Sequence, residues 1–400
     1  MSGATSDGPK LTGAGKFLIV VFILGCLGGA FYLYRGKTKL GNASETSSAS
    51  SGIFAGSGVE IGIAYGTEKK RWLEWAVQEF AKTSDGNRIK VNLIGLGSLE
   101  GAHAILSGDK RINVWTPASA TYKDAFIQDW QVKYNTNPIL KEDTLALTPM
   151  VFVMWDERYQ SFIQKYKTVS FSTVNQALQE KSGWSGIAGK PEWGLFKFGQ
   201  TNPNESNSGL LTIVQAAYTY HNKTKDLLLP DILDQGFQQW LGKMQRGASG
   251  FSNSTGNMMR EMVLKGPSTY DVLFAYEAVA IDYLKNAEGR WGKIRVVYPE
   301  YNAWNENPYY ILNADWSSAE QRKAAQAFLN FLLSDPVQKE ALNHGYRPAN
   351  PAIPVKFPES PFVQLASSGV QVDLQKICEP PKAEVVNNLL QVWQRNQGDR

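Results

Sequence analysis

Gly194-Leu-Phe-Lys-Phe-Gly-Gln-Thr-Asn-Pro-Asn-Glu-Ser-Asn-Ser-Gly209 is the stretch that decides the fold of this 400-residue chain. An apolar strand is predicted to end at Gly199, and a loop crowded with hydroxyl and amide side chains then leads into a helix-like apolar run. A helix start offers unpaired backbone N–H groups and a partial positive charge, which suit the oxygens of a small polar ligand. An ordinary helix capped by Ser or Asn is the alternative. The candidate ligand-binding residues of this loop are Asn202, Ser206, Asn207 and Ser208.

The same order of strand, polar loop and helix occurs three times in the first part of the chain. Strand-like runs at residues 59–65, 89–93 and 112–115 are each followed by a loop containing Ser or Thr and then by a helix-like segment. Such repeated units predict a parallel α/β sheet, with ligands bound at the carboxyl ends of the strands. The candidate ligand-binding residues of these loops are Thr67, Glu68, Ser98, Thr116 and Ser119.

Nucleotide and nucleic-acid binding are not expected. Gly95, Gly97 and Gly101 leave three residues in the second gap, where the dinucleotide fingerprint has two, and no Walker lysine motif occurs. The formal net charge of +4 comes from the segment before Leu40, and the remaining chain is neutral. A nucleic-acid binder needs a basic face, and the sequence has no Lys/Arg stripe that would form one.

The usual catalytic and metal-binding patterns are also missing from the sequence. His103, His221 and His344 are scattered without metal-ligand spacing, and no Gly-x-Ser-x-Gly nucleophile elbow is present. The sequence therefore predicts a protein that is not an enzyme and that uses no cofactor and no metal. A hydrolase with unrecognised carboxylates is the remaining enzymatic alternative.

Five segments together resemble bacterial extracellular solute-binding proteins, over roughly residues 59–354. The resemblance is to the kind that accompanies von Willebrand A domains, and more distantly to molybdate and sulfate binders. The segments are Thr116-Pro-Ala-Ser119, Thr148-Pro-Met150, the extended loop Trp193 to Gly209, Tyr270-Asp-Val-Leu-Phe-Ala-Tyr-Glu277 and His344-Gly-Tyr-Arg-Pro-Ala-Asn350.

This resemblance implies an α/β, two-lobed type 2 periplasmic-binding-protein fold, in which crossing strands join the lobes and a ligand cleft lies between them. Thr148 is expected where the chain leaves the first lobe, and Glu277 at the end of a return strand. Both residues become candidate ligand contacts. For Glu277, a salt-bridged structural carboxylate is the alternative.

One transmembrane helix is predicted before the folded part of the chain. Phe17 to Tyr34 is an uncharged and mostly apolar stretch of 18 residues that is closed by Arg35. This length just suffices to span a bilayer, and the boundary favours an uncleaved anchor over a signal peptide. Lipidation at Cys26 is a less favoured alternative, because Leu24 is too large for the usual lipoprotein box.

The sequence divides into six predicted regions. They are a tail (1–16), the transmembrane anchor (17–34), a Ser/Gly-rich tether (35–58), the first part of lobe 1 (59–148), lobe 2 (149–270) and the return to lobe 1 with C-terminal helices (271–400). Basic residues flank the anchor on both sides and slightly favour a cytoplasmic domain, whereas the resemblance implies an extracytoplasmic one. We follow the resemblance and predict a single-pass protein of the cell membrane whose large domain is extracytoplasmic.

The predicted function is capture of a small polar solute by lobe closure, for transport or sensing. Neutral donors suit an oxyanion, while Glu68 and Glu277 would suit an amine or a cation. Expected partners are a membrane ABC transporter or a protein with a von Willebrand A domain. An envelope sensory or assembly protein that uses the same fold to bind a protein partner is the alternative function.

Overall fold

The strands of this computed structural model, which describes residues 58–287, 290–374 and 376–398, form two sheets. The strands are β1 (Val59–Gly66), β2 (Ile89–Leu96), β3 (Val114–Thr116), β4 (Ile139–Thr144), β5 (Ala146–Trp155), β6 (Phe198–Thr201), β7 (Gly250–Ser252), β8 (Val272–Tyr276), β9 (Ile294–Val297), β10 (Trp304–Asn305), β11 (Pro308–Leu312) and β12 (Arg347–Pro348).

Helices cover both sheets. They are α1 (Lys70–Phe80), α2 (Ser98–Leu106), α3 (Lys123–Tyr134), α4 (Asp156–Tyr166), α5 (Phe171–Leu178), α6 (Trp184–Ala188), α7 (Asn207–His221), α8 (Leu229–Leu233), α9 (Gln235–Gly247), α10 (Thr255–Lys265), α11 (Glu277–Ala287), α12 (Ala319–Leu332), α13 (Asp335–Asn343), α14 (Pro361–Gln364) and α15 (Ala383–Gly398). Short 3₁₀ turns occupy Thr67–Lys69, Ala120–Tyr122, Pro191–Trp193, Gly266–Ser268 and Ala366–Ser368.

The first sheet has the strand order β2-β1-β3-β11-β4. β1 runs parallel to β2 and β3, in a register that pairs Gly66 with Leu96 and Tyr65 with Thr116. The carboxyl ends of these three strands therefore share one edge, as the repeated strand and helix units predict. We call this sheet with its helices the first lobe.

The second sheet has the order β10-β5-β8-β6-β7, with β9 and β12 also paired to β5. β5 is ten residues long and buried along almost its whole length, which explains its continuous apolar sequence. Its first residues pair with β12 and β10, and its later residues pair with β8 and β9. The sheet and its helices form the second lobe, and β5 is the crossing strand between the lobes.

Three buried asparagines attach the returning chain to β5. The Nδ2 atom of Asn302 donates to the Met150 carbonyl oxygen at 2.8 Å, and that of Asn305 donates to the Thr148 carbonyl oxygen at 2.9 Å. Asn307 Nδ2 donates to the carbonyl oxygen of Ala146 at 3.1 Å. These side-chain amides add to the backbone pairing of β10 with β5, so the outgoing and returning segments stay paired where the chain passes between the lobes.

The return to the first lobe lies later in the chain than residue 271. Val272–Tyr276 pairs antiparallel with β5 and parallel with β6, so it belongs to the second sheet. The chain re-enters the first sheet at Pro308–Leu312. The reason is that an apolar run predicts a buried strand but does not indicate which sheet the strand joins.

Two local boundaries also differ from the sequence prediction. The strand of the 194–209 loop does not end at Gly199 but runs from Phe198 to Thr201. The sequence predicts a capping box of Ser317 and Glu320 for α12, whereas the cap is Ser318 with Gln321, one residue further along. The first shift places Thr201 inside the sheet, directly before the polar loop that contains the candidate ligand-binding residues.

Helix α15 docks on the second lobe through the apolar stripe that its sequence predicts. Val386 and Leu389 are fully buried. Trp393 packs its ring edgewise on Phe251, and its Nε1 atom donates to Gln245 Oε1 at 3.0 Å. The C-terminal helix therefore completes the core of the second lobe, and it also contacts Ala120–Tyr122 and α3 of the first.

Within the described ranges, no helix is long and apolar enough to cross a membrane. The predicted span at residues 17–34 lies outside the described residues, together with the tail before it and the tether as far as residue 57.

Candidate functional site

The loops at the carboxyl edge of the first sheet face the starts of two second-lobe helices, α7 and α10. Two side-chain hydrogen bonds cross between the lobes at this place. Thr67 Oγ1 lies 2.7 Å from Ser254 Oγ, and Ser119 Oγ donates to Asn207 Oδ1 at 2.9 Å. Small hydroxyl and amide side chains from both lobes thus converge on one interface.

The backbone of the first lobe approaches the 194–209 loop closely. The N–H groups of Leu99 and Glu100 both donate to the carbonyl oxygen of Glu205, at 3.1 and 3.2 Å. A Cβ atom on Gly97 would lie 2.3 Å from this oxygen. Glycine is therefore required at residue 97, because any side chain would hold the lobes apart.

A cluster of buried hydroxyl groups surrounds Ser208 in the second lobe. Its Oγ atom lies 2.6 Å from Thr201 Oγ1, 2.6 Å from Thr255 Oγ1 and 3.2 Å from Ser206 Oγ. Ser206 is the N-cap residue of α7, but its side chain makes no capping hydrogen bond. The cluster ties β6, α7 and α10 together, so it sets the positions of the helix starts that face the first lobe.

Asn207 links this cluster to the end of β8. Its Nδ2 atom donates to the hydroxyl oxygen of Tyr276 at 3.1 Å, while its Oδ1 atom accepts from Ser119 in the first lobe. Burial raises the pKa of Tyr276 well above its usual value, so this hydroxyl stays neutral. Asn207 is therefore the predicted site residue whose bonds connect the two lobes most directly.

Lys69 is a functional candidate that the sequence prediction missed. Its ammonium group is completely buried and lies 2.5 Å from Glu68 Oε1, and it also donates to Pro117 O and Asn307 Oδ1 at 3.1 Å each. Burial lowers the pKa of Lys69, and the neighbouring carboxylate opposes that shift. The charge of Glu68 is thus compensated inside the first lobe. A lysine directly after a candidate acid was the only signal in the sequence.

Other predicted residues are engaged within a single lobe. Ser98 Oγ accepts from the Ala118 N–H at 3.1 Å and joins two first-lobe loops. Asn202 Nδ2 donates to Glu205 Oε1 at 3.0 Å and closes its own loop. The hydroxyl of Thr116 is buried and has no hydrogen-bond partner in the described part of the chain.

Thr148 and Glu277 lie at the junction of β5, β8 and β12. Thr148 Oγ1 accepts from the N–H of Ala278 at 3.1 Å. The Glu277 carboxylate accepts from Arg347 through Nε at 2.9 Å and Nη2 at 2.7 Å, and also from the hydroxyl of Tyr298. These contacts match the structural alternative for Glu277.

A cavity of about 360 Å³ lies between α1 of the first lobe and α10 and α11 of the second. Thr67, Glu68 and Ser254 belong to its wall, so it borders the inter-lobe hydrogen bond. Charged side chains from both lobes complete the lining. Across the described residues, no group of three or more His, Cys, Asp or Glu is placed to hold a metal ion.

Solved structures of periplasmic binding proteins share this architecture. A periplasmic thiamin-binding protein superposes with a TM-score of 0.57 at 12% identity, over 87% of this chain and 99% of that one. A sulfate-binding protein from Mycobacterium tuberculosis H37Rv superposes with a TM-score of 0.53 at 14% identity, over 80% and 93%. At such identities the likeness shows the fold alone, and it confirms the two-lobed binding-protein fold.

One curated relative is similar over a short segment. The thiosulfate-binding protein of Pseudomonas aeruginosa is 37% identical over 87 residues, which are 22% of this chain and 26% of that protein. The match therefore spans about a quarter of the relative.

The family model of bacterial extracellular solute-binding proteins matches residues 61–347. Except for the first two residues of β1 and the last residue of β12, this range contains both sheets and every converging loop described above. The chain belongs to the bacterial extracellular solute-binding protein family.

Proposed function

We propose that this protein captures a small anionic solute between its two lobes, outside the cytoplasmic membrane. The observation that carries the proposal is the pair of side-chain hydrogen bonds across the interface, Thr67 with Ser254 and Ser119 with Asn207. Groups that meet only when the lobes are closed can stabilise a bound solute only in that state. The solute's differential affinity then drives closure.

Three features support an anion over a cation. The start of α7 carries the positive end of the helix, and no hydrogen bond in the described chain uses the backbone N–H groups of Asn207 and Ser208. Lys69 compensates the charge of Glu68, and Arg347 compensates that of Glu277. The two carboxylates that would attract an amine are thus already neutralised. The short match to a thiosulfate-binding protein is in keeping with this chemistry.

Delivery of the solute to a membrane ABC transporter is part of the proposal, and so is anchoring through residues 17–34 with the tether at 35–58. A protein with a von Willebrand A domain is a further proposed partner. Carbonate washing of membranes tests the anchor, since an integral protein stays in the pellet. Protease added to intact spheroplasts tests on which side of the membrane the large domain lies, because an extracytoplasmic domain is degraded.

Thermal unfolding of the full-length protein in detergent micelles tests solute capture. We expect at least one small anion from a panel that includes sulfate and thiosulfate to raise the melting temperature in a concentration-dependent way. Ser119→Ala should weaken its binding by about 0.5 to 1.5 kcal/mol, because the closed state loses one hydrogen bond between the lobes. The matched control is Ser185→Ala, at an exposed serine of α6, which should bind like the wild type.

Two results contradict the proposal. One is a wild-type protein that no solute stabilises, and the other is an unchanged affinity in Ser119→Ala. In the first case the inter-lobe bonds would be permanent, and the alternative function, an envelope sensory or assembly protein that binds a protein partner, would replace solute capture.

A further inference from the structure

The inter-lobe cavity of about 360 Å³ has a charge pattern that goes beyond the converging hydroxyl groups. Three basic and three acidic side chains line it. Two of the acids are paired inside the lining: Arg71 Nη1 lies 3.0 Å from Asp282 Oδ1, and Lys70 is bonded to Glu74. Two charged residues of the cavity wall remain, the acid Glu68 and the base Arg260.

The remaining acid is neutralised and the remaining base is not. Glu68 is paired with the buried ammonium of Lys69, which lies behind the wall, at 2.5 Å. The side chain of Arg260, on an exposed part of α10, has no hydrogen bond or ion pair with any residue that the structure describes. The cavity with its immediate surroundings therefore carries an excess of one positive charge, located at Arg260.

The start of α10 adds to this positive character. Ser254 caps the helix by accepting from the N–H of Asn257 at 3.3 Å, and Gly256 and Asn257 both line the cavity. An eleven-residue helix presents the positive end of its dipole here. Arg260 lies on the same helix, one turn further along.

The size and the remaining wall favour an organic molecule over a bare oxyanion. Pockets for small organic ligands begin at roughly 300 Å³, which this cavity reaches. Val279 and Tyr283 of α11 supply an apolar and aromatic side. A tetrahedral oxyanion would leave that side without contact.

We propose that the solute is a small organic acid, with its acidic group against Arg260 and the start of α10 and its carbon skeleton on Val279 and Tyr283. This inference rests on the proposed solute-binding function and assigns Arg260 as the residue that selects the acidic group. Carboxylates and phosphate esters share the required chemistry, and the choice of probes distinguishes them.

Isothermal titration calorimetry on the full-length protein tests the inference with succinate, L-glutamate, glycerol 3-phosphate, sulfate, thiosulfate and choline. We expect one of the organic acids to bind at least tenfold more tightly than sulfate, thiosulfate and choline. Arg260→Gln should weaken that binding tenfold to a hundredfold, and Arg260→Lys should restore part of it. Arg246→Gln, at an exposed arginine of α9, is the matched control and should bind like the wild type.

Asn257→Asp provides a second variant, which should preserve or raise the stability of the empty protein but weaken ligand binding. A carboxylate in the first turn of α10 favours the helix, so the melting temperature of the empty protein should stay the same or rise. The same charge in the cavity wall should weaken binding of the organic acid at least fivefold. An adverse effect on folding would instead lower the melting temperature.

The outcomes separate this inference from the proposed function. Preferred binding of sulfate or thiosulfate, or unchanged affinity in both Arg260→Gln and Asn257→Asp, overturns the organic-acid inference and leaves solute capture in place. Absence of binding by every probe, together with absence of thermal stabilisation by any anion, overturns both.

Discussion

Glu68 and Glu277 occupy similar places in the two lobes but differ in what surrounds them. Each acid closely follows the carboxyl end of a buried strand, β1 or β8, and each is paired with a buried base. Arg347 holds Glu277 through two hydrogen bonds, and the Glu277 side chain is 0% exposed. Lys69 holds Glu68 through one, and Glu68 also forms part of a cavity wall.

This difference separates a carboxylate that joins structural elements from one that borders the proposed binding site. Arg347 comes from β12, and its remaining donors reach the carbonyl oxygens of Gln371 and Val372, so the Glu277 pair fastens three segments together. The Glu68 pair joins first-lobe loops and Asn307, and Glu68 also lines the cavity although its side chain is only 4% exposed. A buried acid at a strand end is therefore a site candidate when it also lines a cavity.

The largest expected effect is at the enclosed pair. Glu277→Gln leaves the Arg347 guanidinium buried without a countercharge, which should lower the free energy of unfolding by about 3 to 5 kcal/mol. Urea denaturation measures the loss. Glu300→Gln, at an exposed pair with Lys376, is the control and should cost less than about 1 kcal/mol. A loss of unfolding free energy in Glu277→Gln as small as that of the control would show that the Glu277–Arg347 pair does not stabilise this junction.

A third buried acid, Asp271, shows how burial affects the pKa of a carboxyl group whose basic partner, Arg158, is poorly aligned with it. Its Oδ1 atom lies 3.2 Å from Arg158 Nε without hydrogen-bond geometry, while Oδ2 accepts from Trp184 Nε1 at 2.9 Å and from the Lys197 N–H at 2.7 Å. Burial raises the pKa of Asp271 to about 6, although these hydrogen bonds and the Lys197 and Arg158 charges oppose the shift. The Asp271 carboxyl group therefore binds its proton more tightly in the native state than in the unfolded chain.

The stabilisation from Asp271 should be complete below pH 4 and should disappear as the pH rises through about 6. A shift of about two pKa units corresponds to roughly 3 kcal/mol. Urea denaturation between pH 4 and pH 7 measures it as the difference between the wild type and Asp271→Asn, which cannot titrate. A difference that stays constant over this range, or that grows with pH, would contradict the raised pKa.

A smaller loss is expected at the pair that borders the cavity. Lys69→Met leaves Glu68 without its ammonium partner, but the Glu68 side chain is 4% exposed whereas that of Glu277 is fully buried, so the cost should be somewhat smaller, about 2 to 3 kcal/mol. The same variant should weaken binding of an anionic solute, since it adds net negative charge to the site. Lys70→Met, at an exposed neighbouring lysine, is the stability control. A cost equal to that of Glu277→Gln would show that the two pairs are equivalent.

The smallest effects separate the two kinds of buried hydroxyl in the cleft. Ser208→Ala removes the centre of the second-lobe hydroxyl cluster and should cost about 1 kcal/mol of unfolding free energy. Thr116→Val removes a buried hydroxyl that has no partner, so stability should stay unchanged or rise by up to about 1 kcal/mol. If Thr116 instead faces the solute, Thr116→Val weakens solute binding while the empty protein keeps its melting temperature. Equal stability losses in both variants would contradict the distinction.

Elements with a clear local signal were predictable from the sequence. The first three strand and helix units form as predicted. So do the start of α10, where Ser254 and Thr255 predict a cap, and the stripe of α15, which Val386, Leu389, Leu390 and Trp393 predict, because periodicity and capping are properties of neighbouring residues. The sheet that β8 joins was not predictable. Val272–Tyr276 is buried throughout, and such a strand fits equally well at any central position.

The loops of the candidate site could be predicted, but the role of each residue in them could not. Thr67, Ser119 and Asn207 were found because polar residues follow strands whose carboxyl ends share an edge. Lys69 was missed because burial of a lysine depends on acceptors 48 and 238 residues away, at Pro117 and Asn307. Arg260 was missed because nothing in a helix sequence shows that a cavity from the other lobe will lie against it.

The sequence by itself determined the α/β class, the family and the polar chemistry of the loops, since each follows from short-range pattern and residue type. Only the tertiary structure decided which charges are neutralised and which remain available. Glu277 meets Arg347 across 70 residues of chain, whereas Arg260 meets no acid in the described structure. The physical reason is that the interaction between two charges depends on their separation in space and on their exposure to water, and distant parts of the chain set both.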